Sequence, residues 1–202
     1  MFNVMIHKLP YRWHGYRIDA DFRTGIQIMQ CLSDEEFPQD ERICYAVSRL
    51  FPEEKPGIEE ALEGLAWYMS EFNHDHHQNS SNTDSVKSYD FDVDQWRIYS
   101  AFKRQYGIDL NTAKMHWFVF MGLLSNLEEC SFTRVMDIRL KKINSKASQK
   151  EKKELMKVKD VYRLEDEDAH LTPEEKQAQQ RQLELFNIFM NAGKEAEKEE
   201  QE

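Results

Sequence analysis

The sequence predicts a mainly α protein: a multi-helix bundle with a small N-terminal β element and a loosely attached C-terminal helix. Apolar residues recur at helical spacing in one segment after another. Helix-start signals stand in front of several of these segments. The 202 residues include only 7 Gly and 5 Pro, fewer than the many turns of an all-β chain would need.

The N-terminus, FNVMIHKL and then WHGYRID, reads as two short extended segments around a turn at Pro10 to Gly15, a weak hairpin pattern. Asp19 or Asp21 then caps a first helix with Phe22, Ile26, Met29 and Leu32 on its apolar face. A second helix follows Pro38, turns Ile43, Ala46, Val47 and Leu50 inward, and stops at Phe51-Pro52. A third begins near Pro56-Gly57. Its face of Ile58, Ala61, Leu62, Leu65, Ala66, Met69 and Phe72 follows the i, i+3, i+4, i+7 rule.

Residues 73–89 hold Ser, Asn, Asp and His with almost nothing apolar, a composition that joins no core, so they read as a solvated linker. A fourth helix starts in YDFDVDQW. Asp92 serves as N-cap with Gln95 three residues on, Trp96, Tyr99, Phe102 and Tyr106 form a buried stripe, and Gly107 is the stop. A fifth, roughly Thr112 to Leu127, is apolar nearly all round, as a central helix would be. Phe132, Val135, Met136, Leu140 and Ile143 outline a sixth. Residues 141–159 then carry eight lysines against two glutamates, which reads as a solvated helix face. A terminal helix starts at Thr172, with Pro173 at its first position and Glu175 at its third. The expected organisation is 1–72 (β element plus helices), 73–89 (polar linker), 90–144 (helical second half of the same domain) and 145–202 (charged segment and terminal amphipathic helix).

A net charge of −10 disfavours nucleic acid, whose binding depends on Lys and Arg neutralising phosphates. No stretch reaches the length of a membrane span and no signal peptide is evident, so no membrane partner is expected. Cys31, Cys44 and Cys130 are odd in number and form no C-x-x-C pair. They read as small buried hydrophobes in a reducing compartment.

The best metal candidate is His74, Asp75, His76 and His77. Stable sites fix their ligands from a rigid scaffold, and these stand consecutively in the polar linker, so no metal or cofactor is expected. Asp90, Asp92 and Asp94 open like a calcium loop, but Gln95 and Ala101 occupy the positions that need Gly and Glu. Helix capping accounts for the aspartates. His116, within an apolar helix, reads as a satisfied core histidine. No phosphate loop, dinucleotide fingerprint or nucleophile elbow occurs, and the expectation is a protein without enzymatic activity. The apolar patch of the terminal helix must be buried on its own chain or on a partner. Leu183, Phe186, Phe189 and Met190 are its candidate partner-binding anchors.

Several blocks taken together resemble one phage and prophage family: YRIDADFRTGIQIMQCLSD, YDFDVDQWRIYSAFKRQYGIDLN, MHWFVFMGLLSNL and VYRL at 161–164. It is the bacteriophage gene-product-fifteen family of phages of Gram-positive bacteria, and the resemblance covers roughly residues 1–164. Its most specific block falls here on Trp96, Tyr99, Phe102, Tyr106, Ile108, Asp109 and Leu110, with Asp94 offset by one. The resemblance implies a place in the tail-gene module, beside the major tail and tape-measure proteins, where tail assembly chaperones are encoded. It defines no catalytic residue. The implied function is therefore a tail assembly factor in the host bacterial cytoplasm, a chaperone with the tape-measure protein as client and the major tail protein as a further candidate partner. The alternative is a structural tail or connector component retained in the virion. A metal-dependent enzyme on His74–His77 is a third, weaker reading. Sequence leaves oligomeric state open.

Overall fold

Seven α-helices and one two-stranded hairpin form in the described residues of the computed structural model, 3–70, 88–142 and 148–164. The chain divides into two compact units, Met1–Leu164 and Glu165–Glu202, and the second lies wholly outside the described residues. So do Phe72, Ile143, the His74–His77 cluster, the proposed Thr172 cap and the anchors Leu183, Phe186, Phe189 and Met190.

The hairpin pairs β1 (Arg12–Trp13) with β2 (Tyr16–Arg17), antiparallel, in the register Arg12↔Arg17 and Trp13↔Tyr16. His14 and Gly15 both take positive φ, 45° and 97°, as a tight two-residue hairpin turn requires. The segment before it is not extended. Asn3 folds it into a turn by accepting from Met5 N at its side chain (2.9 Å) and from His7 N at its carbonyl (2.8 Å). A local Asx turn outcompetes strand pairing there because no partner strand is available.

Asp21 caps α1 (Phe22–Ser33), accepting from Arg23 N at 2.9 Å. Asp19 supports it from below, receiving Asp21 N (3.1 Å) and the Thr24 hydroxyl (2.8 Å). Helix α2 (Gln39–Leu50) follows Pro38 and gives way at Phe51, and α3 (Ile58–Ser70) follows. Then come α4 (Gln95–Tyr106), α5 (Trp117–Ser125), α6 (Ser131–Leu140) and α7 (Gln149–Tyr162). Gly107, at φ 69°, ends α4. A Ser148–Glu151 capping box opens α7.

Helix α5 is the centre of the core. Trp117, Phe118, Phe120, Met121 and Leu124 are all buried, as the all-round apolar run predicts. Gly25 lets α1 come close to it, since a β-carbon there would run into the Trp117 ring. Two backbone bonds, Phe22 N to Met115 O (3.0 Å) and Trp117 N to Ala20 O (2.8 Å), join the starts of the two helices.

Several expectations are corrected. Helix α5 begins at Trp117, five residues later than Thr112, because His116 is its N-cap and not an interior residue. Helix α4 is preceded by Asp94, not Asp92, and Trp96 is exposed. Ile58 and Leu140 are also exposed at the ends of their helices, while Gly64 and Tyr68 join the buried face of α3. The polar stretch ends before residue 89, since Tyr89 packs on the core against Phe91 and Phe132. Of the cysteines only Cys130 is buried. Cys31 is half-buried and Cys44 exposed.

Candidate partner-binding groove

Three aspartates in YDFDVDQW do three different things. Asp90 forms an Asx turn, its carboxylate accepting from Asp92 N (2.7 Å) and Val93 N (3.0 Å). Asp92 is exposed. Asp94 is completely buried and paired with Arg139 of α6, the Nη1–Oδ2 distance being 2.5 Å and the Nη2–Oδ1 distance 3.2 Å. Arg97 reaches the same carboxylate (2.8 Å), and Asp90 N donates to it (3.1 Å). Arg139 also donates to the carbonyls of Tyr162 (2.7 Å) and Ser88 (3.2 Å). One guanidinium thus ties together the entry to α4, α6 and the end of α7.

This pairing sets the rotation of α4. With Asp94 drawn inward, the residues that share its side are Ile98, Ala101 and Phe102, all buried. Trp96 lies across the helix and is 74% exposed. The expected stripe of Trp96, Tyr99 and Phe102 steps by three, and three residues fall about 60° short of a full turn. It therefore winds around the helix, with Phe102 in the core and Trp96 in water.

Beside Trp96 the surface opens into an apolar groove of about 420 Å³. Phe22 and Phe120, stacked at 4.9 Å between centroids, contribute to its lining with Phe91 and Ile98. Ile26 from α1, Leu110 and Asn111 from the α4–α5 loop, and Gln95, Trp96 and Tyr99 from α4 complete it. Trp96 meets Tyr99 edge to face at 5.9 Å. The volume lies in the range of ligand clefts, and aromatic rings with a few amide groups are typical of their linings.

The loop side is held by charge. The Arg23 guanidinium donates to the carbonyls of Leu110 (2.7 Å), Asn111 (3.1 Å) and Ala113 (3.0 Å), which fixes the loop on α1. Asp109 receives the Tyr99 hydroxyl (3.2 Å), Asn111 N (3.1 Å) and Lys103 Nζ (3.0 Å). The Lys103 ammonium, hydrogen-bonded to Asp109, holds that carboxyl below the usual carboxylate range, with the Asn111 amide adding to the effect. Asp109 is therefore a standing anion at neutral pH, and Tyr99 stays turned towards it.

A second cleft, about 570 Å³, lies between the hairpin and the start of α5, and its Arg17, Asp19, Asp21 and Glu53 already have partners. Arg17 pairs with Glu53 (2.5 Å), and Asp19 is occupied as described above. His116 Nδ1 accepts from Phe118 N (3.1 Å), so its Nε2–H donates to the Pro10 carbonyl (2.8 Å). Burial lowers the His116 pKa, which keeps the ring neutral. It is a satisfied core histidine, at the helix start and not inside it. Among the described residues no group of three or more His, Cys, Asp and Glu could hold a metal ion. No helix of theirs is long and apolar enough to cross a membrane.

Two parts of this arrangement escaped sequence reasoning, the exposure of Trp96 and the Asp94–Arg139 pair. A signal for the pair exists: Phe132, Val135 and Arg139 stand at i, i+3 and i+7, which puts an arginine on the apolar face of α6. No curated protein and no solved structure matches the chain. Residues 3–164 match the family described as Bacteriophage Gp15 protein, a span that includes every element of the hairpin, the seven helices and the groove, and the chain belongs to that family.

Proposed function

We propose that this phage protein is a non-enzymatic tail assembly factor, a chaperone that holds the tape-measure protein during tail morphogenesis in the host cytoplasm. The single observation that supports it best is Trp96. The most family-specific sequence block sets an exposed indole at the rim of an apolar groove, where burying it in the chain's own core would be the default. A client helix with an apolar stripe would place one or two side chains in the groove under Trp96 and Tyr99 and leave when tail protein polymerises around it. The C-terminal anchors Leu183, Phe186, Phe189 and Met190 are a second contact in this reading, with the major tail protein as a further candidate partner.

Co-expression of the full chain with the tape-measure protein encoded nearby, followed by pull-down, tests this. Trp96→Ala is expected to reduce the captured client by roughly tenfold or more, the size of effect typical of an aromatic anchor. A loss seen only with Phe186→Asp/Phe189→Asp would move the client surface to the C-terminal segment. Absence of any complex, with the protein present in purified virions at fixed copy number, would make it a structural component instead.

A further inference from the structure

Among the described helices α7 alone has no buried residue; only Lys152, Leu155, Lys159 and Tyr162 are half-buried. It packs chiefly on α6, which packs in turn on α4. Lys159 donates to the Lys141 carbonyl (2.9 Å) at the end of α6. The rest of its hold on the body is concentrated at its own end. The Tyr162 carbonyl accepts from Arg139 Nε (2.7 Å), and the Arg97 guanidinium lies over the Tyr162 ring, 5.9 Å from its centre. Leu164, two residues on, is buried. Arg97 and Arg139 are also the two guanidinium groups that grip Asp94. Tyr162 therefore touches both cations that fix the rotation of α4. Gln95 and Trp96, which line the groove, stand between Asp94 and Arg97 in the first turn of that helix.

We infer that the Tyr162–Leu164 end of α7 is a strap that sets the groove. Seated, it gives Arg139 a carbonyl and Arg97 a ring, so both guanidinium groups stay on Asp94 and α4 holds Trp96 and Tyr99 at the groove. Released, it leaves Arg139, a buried side chain, one acceptor short. An unsatisfied N–H in such a place costs more than a shift of the side chain. Arg139 therefore moves with the strap, Asp94 moves with Arg139, and the first turn of α4 loosens. Helix α7 is able to leave without opening the core, because it buries no residue of its own before Leu164. Its release is a local opening that lies below the global unfolding of the unit. The coupling is reciprocal, so whatever steadies the α4 rim also favours the seated strap. Its consequence for a client rests on the groove being the client site, whereas the coupling itself does not.

Hydrogen exchange of the full chain, read by mass spectrometry on wild type, Tyr162→Ala and Leu164→Ala, tests the strap without a client. Both variants are expected to exchange faster over residues 149–164, by roughly tenfold or more, and to speed exchange over residues 90–99 as well. Exchange over α1 and α5 is expected to stay as in wild type. Faster exchange of α7 with residues 90–99 unchanged overturns the proposal, and so do variants that exchange like wild type throughout. An equal increase in all four segments also overturns it, because it reports loss of global stability and not a local coupling. Pull-down of the tape-measure protein with the same variants separates the strap from the reading of the groove. Reduced capture by Leu164→Ala is expected if both hold. Coupled exchange together with undiminished capture by Trp96→Ala upholds the strap and removes the groove as the client site.

Discussion

Among the described residues Asp94 and Arg139, 0% and 4% exposed, concentrate the cost of buried charge at one point. Each is satisfied several times over, Asp94 by Arg139, Arg97 and the Asp90 amide, and Arg139 by Asp94 and two carbonyls. Removing one partner strands the other, so Arg139→Ala is expected to destabilise the fold by about 3–5 kcal/mol in urea unfolding. Replacing both together, Asp94→Leu/Arg139→Met, is expected to cost clearly less than the sum of the single changes. His116 gives a pH signature. Burial lowers its folded pKa, so between that value and the unfolded value of about 6.5 the unfolded chain binds the extra proton. Its contribution is complete above the unfolded pKa and is lost as pH falls through the folded one. Urea midpoints at about pH 7.5 and about pH 5.5 should therefore fall more for wild type than for His116→Asn, which keeps a capping acceptor but does not titrate. A midpoint difference equal in both proteins would show that His116 carries none of the pH dependence.

Helix α1 and helix α5 approach through Gly25, and α5 carries a second glycine, Gly122, with open space around it. The pair separates packing from propensity. Gly25→Ala forces a methyl group into the Trp117 ring and is expected to cost about 1–3 kcal/mol or more. Gly122→Ala meets nothing within 4 Å and is expected to stabilise by roughly 0.5–1 kcal/mol, as a helix-interior glycine replacement does. Thermal melts of the two variants should move in opposite directions. Helix identity was legible at this scale because apolar periodicity, the Asp21 cap, the Pro38 start and the Gly107 stop are local signals. Helix rotation was not, because on α4 a buried carboxylate and not the largest ring decides which side faces in.

Residues Met1–Leu164 form one compact unit, and Arg139 connects its later elements from Ser88 to Tyr162. Unfolding of that unit is expected to be a single transition, and Arg139→Ala to lower its midpoint as a whole. Two separate transitions within it, read by Trp fluorescence and by circular dichroism, would show the halves on either side of residues 71–87 to be independent. The sequence by itself determined the helical class, the central place of the α5 segment, the solvated lysine helix and the family, since each rests on composition, on periodicity or on residue identity along the chain. The tertiary structure alone decided the groove and its rim. Phe22, Trp96, Leu110 and Phe120 come from three helices and a loop, and they share one surface only because the buried Asp94–Arg139 pair turns α4 and the Arg23 guanidinium holds the α4–α5 loop against α1. Both interactions join residues far apart in sequence, 45 positions for the pair and 87 for Arg23 and Leu110; local spacing turns Arg139 inward but does not say which residue it meets.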